Sequence, residues 1–403
     1  MSSKPLVVYL HRYPPEHEAQ QFSGMRVFLD HLLEKFDVLY VSMRGVKPPA
    51  ADLRRGLRFM EIPFTIDPAS GLSKFSKTIL FYLAVPGILP RLRRLEPDFI
   101  ICKEPLPFIP IMVSRLGLPF MIASVSDFWW RIFLGGNRWG RRLAGWLERF
   151  EIRRWNLGRA CVVANTKAEA DLIEKRGMNR NRIFIINTTS PAGLYFPCDA
   201  QQERALLKLA PNDWVVAIHG TIRPGKGYGQ LLEWWQALTK THPNWRLLII
   251  GGAGGEAWCR RQIRRLELER QVRMTGWLPG PQEVNRYLNA ADCLLVVRRN
   301  SDDNQGIIPS ALYHSLATGK PTVATGLEGM AEIVRHGVDG FLFEPDNFDS
   351  FRKVLEHIAE HPQEAARVGR AGMAREKECF DPVVAAEKNV EVIERMIRAD
   401  GAY

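Results

Sequence analysis

The sequence has little of what marks secreted, metal-stapled or membrane-spanning proteins. Its six cysteines (positions 102, 161, 198, 259, 293 and 379) are widely separated, with no C-x-x-C pair and no histidines at zinc-finger spacing. Neither a disulfide framework nor a structural zinc is indicated, and free thiols suit a reducing cytoplasm. The apolar run Pro5 to Leu10 is too short for a signal peptide. The uncharged stretch from Thr78 to Pro90 has thirteen residues, against about 20 for a spanning helix. No local repeat of about 20 to 50 residues is visible. A cytoplasmic protein, soluble or peripheral on the inner membrane face, is the expectation.

What is present is an ordinary globular composition, 46 % apolar and 25 % charged, in 403 residues. That length predicts two domains. Lys plus Arg number 55 against 44 acidic residues, a net charge of +11, so an anionic partner is indicated: nucleic acid, a phosphorylated small molecule or a membrane surface.

Short apolar strand candidates alternate with helical patterns along nearly the whole chain, which predicts parallel α/β architecture. The first half supplies Leu6–Leu10, Asp37–Ser42, Asp98–Cys102, Pro119–Ser124, Cys161–Ala164 and Ile183–Ile186. The second supplies Trp214–His219, Trp245–Ile250, Gln271–Met274, Cys293–Val297, Thr322–Thr325 and Phe341–Phe343. Two doubly wound, Rossmann-like domains facing a cleft are expected, over residues 1–190 and 214–381. The proline- and glycine-bearing stretch 191–213 would link them, with a closing helix at 382–403 that returns to the first domain.

His219-Gly220-Thr221-Ile222-Arg223-Pro224-Gly225-Lys226-Gly227 follows a strand and opens a helix. Glycines there expose backbone N–H groups, the helix start is positive, and Arg223 and Lys226 add charge, so the turn suits a phosphate. It nearly matches a Walker A loop, but Gly227 stands where the magnesium-binding hydroxyl belongs, which weakens an ATPase reading. A turn that binds nothing remains the bland alternative. Farther on, Pro309 suits the first turn of a helix and leaves the amides around Gly306 to Ser310 free for a second anionic or hydroxylated group.

The ordered segments resemble retaining, nucleotide-sugar-dependent glycosyltransferases of family four (glycosyl transferases group 1) with the two-domain GT-B fold. The resemblance is strongest from Val215 to Phe343. It rests on Gly251-Gly252-Ala253-Gly254, Thr275-Gly276-Trp277-Leu278-Pro279, Ala290-Ala291-Asp292-Cys293, and Pro309-Ser310-Ala311-Leu312-Tyr313 running on to Ala317-Thr318-Gly319-Lys320-Pro321. That last stretch is similar to the subgroup motif P-S-K-L-Y-E-Y-L-A-x-G-K-P, and Asp127-Phe128-Trp129 to its D-L-W. The family's paired glutamates, spaced E-x7-E, are Gly306 and His314 here, and Thr221 stands at its usual Arg position.

The resemblance implies a nucleotide-diphosphate sugar as donor substrate, no cofactor and no metal, in keeping with the missing D-x-D motif. Donor contacts would come from Gly24, Gly220, Thr221, Gly276, Trp277, Gly306, Ile307, Ile308, Ser310 and His314. Arg223 and Lys226 would stabilise the departing diphosphate. Asp127 would orient or deprotonate an acceptor hydroxyl, or else simply cap a helix. Asp302 and Asp303 would replace the missing acid or lie solvated. A catalytically silent protein that binds a nucleotide sugar or a partner subunit is the competing reading.

Between Phe128 and Arg159 lie eight arginines and five of the eleven tryptophans. Trp139, Leu143, Trp146, Leu147 and Phe150 share one helical face, flanked by Arg138, Arg141, Arg142 and Arg149, a composition suited to an anionic membrane surface. A lipid-linked or cell-surface glycan acceptor would fit such a protein. Two alternatives stand beside it: the face packs into the domain core, or the arginines meet nucleic acid, though no nucleic-acid module accompanies them and none is expected as a partner.

Overall fold

The computed structural model describes residues 4–13, 24–44, 50–63, 65, 74–103, 108–123, 130, 134, 137–187, 193–223, 226–252, 254–301 and 304–400. The chain divides into two compact units, Met1–Pro191 with Pro382–Tyr403, and Ala192–Asp381.

The first unit is a seven-stranded sheet whose paired strands are all parallel, in the order β3-β2-β1-β4-β5-β6-β7. Its strands are β1 (Leu6–Leu10), β2 (Asp37–Met43), β3 (Arg58–Ile62), β4 (Phe99–Cys102), β5 (Phe120–Ala123), β6 (Ala160–Ala164) and β7 (Ile183–Ile185). One face carries α3 (Lys74–Arg94), α4 (Ile109–Ser114) and α5 (Arg138–Leu157), which meet the sheet through Phe81, Val85, Ile88, Val113, Ile152 and Trp155. The other face carries α1 (Met25–Lys35) and the last helix of the chain, Pro382–Asp400, through Leu29, Leu32, Val390 and Ile393. Strands buried on both faces read as continuous apolar runs, which is why most of them are plain in the sequence. β3 is not, because it is an edge strand with exposed Arg58 at its start and only alternate residues, Met60 and Ile62, buried. Between α1 and α3, the short helix Ala50–Arg54 is α2.

The second unit repeats the plan with six parallel strands, ordered β10-β9-β8-β11-β12-β13. These are β8 (Trp214–His219), β9 (Trp245–Ile250), β10 (Val272–Gly276), β11 (Cys293–Val296), β12 (Thr322–Thr325) and β13 (Phe341–Phe343). The segment after residue 192 packs onto this unit and is no free connector. Tyr195 and Ala200 are buried, the Phe196 and Cys198 N–H groups donate to Asn285 and Asn289 (3.1 Å each), and Arg204 donates to the Ala290 carbonyl (2.8 Å).

In both units the first six strands in chain order stand in space as 3-2-1-4-5-6, the doubly wound order in which the chain reverses direction between strands 1 and 4. Loops leaving the carboxyl ends of those two strands diverge and open a crevice. In the second unit they are the segments after β8 and β11.

Candidate functional site

β8 delivers His219 to the sheet's carboxyl end. Gly220 follows with φ +119°, and Gly227, at φ +90°, caps the helix Tyr228–Thr239. Side chains rarely adopt such backbone angles, so glycine is required at both. The turn is locked to its neighbour: Gly220 N–H donates to the Ile250 carbonyl, and Ile222 N–H to that of Gly252 (2.9 Å each). A Cβ on Gly251 would fall 2.3 Å from the Gly220 oxygen, and one on Gly255 2.0 Å from the Ile222 oxygen. The glycines of the second loop therefore let two strand-end turns touch backbone to backbone.

The far wall comes from the segment after β11. A Cβ on Gly227 would lie 3.0 Å from Val297 Cγ1 and 3.9 Å from the backbone of Arg298 and Arg299. The helix Ser310–Ala317 begins after Pro309, whose side chain gives its first turn no cap. Gly306 is clamped against Gly329, where a Cβ would fall 2.7 Å from the Gly306 carbonyl carbon, while Gly329 N–H donates to the Gln305 carbonyl (2.6 Å). Arg223 is exposed, Lys226 half-buried and Ser310 exposed. Cations and backbone donors thus border the switch point between β8 and β11.

His314 ties the two walls together from beneath. Its Nδ1 lies 3.3 Å from His219 Nε2, and Tyr195 stacks on its ring at 4.0 Å between centroids. His314 is 5 % exposed, and its Nε2 is buried without a hydrogen-bond partner among the described residues. Burial pushes His219 down to about 4 and, helped by repulsion from His219, holds His314 well below the usual imidazole range. Two neutral rings share one proton in one bond. The position that replaces a family glutamate is thus turned into the domain.

The other expected residues fall as follows. Gly220, Thr221, Arg223 and Lys226 lie on the turn after β8, and Gly306, Ile307, Ile308 and Ser310 on the segment that faces it across the switch point. Gly276 ends β10, two strands away, and bridges to Gly251, with Trp277 exposed beside it. Gly24 belongs to the first unit, where it precedes α1 and lines a small cavity of about 110 Å³ with Lys103, Asn165 and Asn187. Asp127, Asp302 and Asp303 lie outside the described residues.

Two features of the site have no counterpart in the motif reading. Glu256 places its carboxylate against Gly252, where a Cβ would meet its Oε1 at 1.8 Å, and adds an acceptor to the glycine loops; its only sequence signal is an acidic residue in the first turn of a helix. Arg298 and Arg299 follow just past β11, with Arg299 paired to Asp346 at 3.2 Å. Asp292 has a purely structural task, exchanging hydrogen bonds with Val215 at 2.7 Å in both directions and so fixing the entry to β11.

Residues 199–375 match the family described as glycosyl transferases group 1. An uncharacterized glycosyltransferase of Haemophilus influenzae is 26 % identical over 50 % of this chain and 52 % of its own length. A D-inositol 3-phosphate glycosyltransferase of Segniliparus rotundus is 28 % identical over 53 % of this chain and 47 % of its own. The chain thus spans about half the length of these curated relatives. Among solved structures, Anabaena HepE in complex with UDP and glucose superposes with a TM-score of 0.70 at 18 % identity, covering 97 % of this chain and 100 % of that one. That likeness shows the fold, two Rossmann-like domains of the GT-B type.

Proposed function

From the match of residues 199–375 to the glycosyl transferases group 1 family, we propose that the protein is a retaining, metal-independent glycosyltransferase with a nucleotide-diphosphate sugar as donor. The observation that carries this reading is the meeting of the Gly220–Gly227 turn with the segment after β11 at the switch point of a doubly wound sheet. Ligands of such sheets bind at that place.

The chemistry is departure of a nucleoside diphosphate from an anomeric carbon. Its largest stabilising contribution is electrostatic, from fixed cations and backbone dipoles around the developing negative charge. Lys226 and Arg223 serve the diphosphate, the amides from Gly306 to Ser310 a second anionic or hydroxyl group, and Gly276 with Trp277 the base side. The acceptor would be a lipid-linked or cell-surface glycan met at the cytoplasmic face of a membrane, with Asp127 and Gly24 on the acceptor-bearing unit. UDP and UDP-glucose are the first ligands to try. Lys226→Ala should lower transfer by about 10²–10³-fold and abolish UDP binding by calorimetry. Unchanged affinity would move the donor elsewhere.

A silent, nucleotide-sugar-binding protein is the second reading. It is favoured by the absence of both family carboxylates, since Gly306 packs against Gly329 and His314 faces inward. Binding of UDP-sugars with neither hydrolysis nor transfer would select it.

A further inference from the structure

The helix α5 presents to solvent what an ordinary surface helix hides. Trp139 (76 % exposed), Leu143 (49 %), Trp146 (57 %), Phe150 (39 %) and Leu157 (76 %) are all uncovered. At about 100° per residue these five fall within an arc of roughly 60°, in a stripe about 27 Å long. The residues that meet the domain, Ala144, Glu148, Glu151, Ile152 and Trp155, occupy the opposite side. The stripe therefore points directly away from the core, and the alternative in which this face packs into the domain core does not hold for Trp139, Leu143, Trp146 and Phe150.

Both carboxylates of α5 are on the buried side. Glu148 lies 3.6 Å from the Arg176 guanidinium, and Glu151 accepts the Phe108 N–H and the Trp130 indole N–H (2.8 Å to the indole). The outer surface of the helix is left with six arginines, at 138, 141, 142, 149, 153 and 154, and no acid. Arg142 lies over the Trp139 ring at 5.4 Å and Arg154 over Phe150 at 5.8 Å, while Trp146 and Phe150 stack at 6.0 Å. On α3, which lies on the same face of the sheet, Ile79 and Leu83 are exposed as well.

We propose that α5 is a membrane-seating helix, which lies flat on an anionic lipid bilayer with Trp139, Leu143, Trp146, Phe150 and Leu157 in the headgroup–acyl boundary and its arginines on the lipid phosphates. Charge complementarity selects this occupant: apolar area with uniformly positive flanks matches an anionic bilayer. Nucleic acid is matched less well, because base-stacking sites set separate aromatic platforms in a groove, whereas this stripe is continuous, convex and partly aliphatic. A second copy of the chain would bring six like charges against six. Among the described residues no helix is long and apolar enough to cross a membrane, so the contact lies on the surface. The proposal does not depend on sugar transfer.

Flotation of the full chain with vesicles of phosphatidylcholine, with and without phosphatidylglycerol, tests it. The wild type should float with the anionic vesicles, less so as salt rises, and stay behind with phosphatidylcholine alone. Trp146→Glu and Leu157→Glu, each at an exposed position that leaves the circular-dichroism melt unchanged, should abolish flotation. Arg149→Gln with Arg153→Gln should weaken it about 30-fold. A wild type that does not float at low salt overturns the proposal, as does flotation of both glutamate variants at the wild-type level. So does binding of single-stranded RNA, or self-association lost in Trp146→Glu, without vesicle binding. A parallel thermal shift with UDP separates the two readings. Vesicle binding without UDP binding faults sugar transfer alone, and UDP binding without vesicle binding faults this proposal alone.

Discussion

The turn after β1 in the first unit and the turn after β8 in the second occupy equivalent places in the same strand order, and each has a histidine at the strand's end. Side chains brace the described start of the first, residues 11–13. His11 Nδ1 lies 3.2 Å from the Tyr40 hydroxyl, which itself donates to the Tyr13 carbonyl at 2.8 Å; the Ser42 hydroxyl donates to the Arg12 carbonyl, and His11 and Arg12 are both buried. Glycine opens the second, and its backbone is braced by the neighbouring loop. The outer surfaces differ in the opposite sense, since the first unit carries the uncovered apolar stripe of α5. Duplicating a sheet topology thus duplicates a crevice position but not its chemistry. The strand-end residues, side chains in one unit and glycines in the other, set that difference.

Breaking the backbone contact of the second turn should have the largest effect. Gly251→Val places a Cβ against the Gly220 oxygen at a φ of +127°. It should destabilise the second unit by roughly 3 kcal/mol or more, seen as lost hydrogen-exchange protection in 214–343 with the first unit's protection kept. Equal loss in both units would show that they do not unfold separately.

Acid should separate the units by sign. His219 and His314 titrate below the usual range in the folded protein, so the unfolded chain binds more protons between about 4 and 6.5, and the second unit's stability falls as pH falls through that window. Glu151 runs the other way. Burial, offset in part by its two N–H donors, pushes it up to about 7. The folded form then binds more protons, so this contribution is full at low pH and is lost as pH rises toward 7. The His219 and Glu151 shifts are each worth roughly 3 kcal/mol at most. Urea melts at pH 5 and 7.5, read by exchange in each unit, should shift in opposite directions, and Glu151→Gln should remove the first unit's share. Parallel shifts in that variant and the wild type would refute the assignment.

The smallest effect tests the mounting of the stripe. Asn137 caps α5 by accepting the Gly140 N–H at 2.8 Å. Asn137→Ala should cost about 1 kcal/mol, loosening exchange in the first turn of α5 while leaving UDP affinity as it was.

The strands of both units were largely legible because buried parallel strands leave apolar runs between turn residues. The glycine turn after β8 was legible because positive φ demands glycine. Edge strand β3 was not, since half its residues face solvent, and α3 was obscured by Pro86 and Pro90 within it. Glu256 and Arg298 carry no motif; only the crossing of loops brings them to the rim.

Sequence alone therefore determined the two-fold α/β plan, the glycine turn and the amphipathic character of α5, since these follow from local periodicity and backbone geometry. It could not decide which side of α5 meets the core. That side carries two carboxylates, and they are tolerated because Phe108, Trp130 and Arg176, distant in the chain, supply their partners. Nor could it decide that His314 looks inward to His219 rather than outward. Both outcomes depend on partners that come together only in the folded domain.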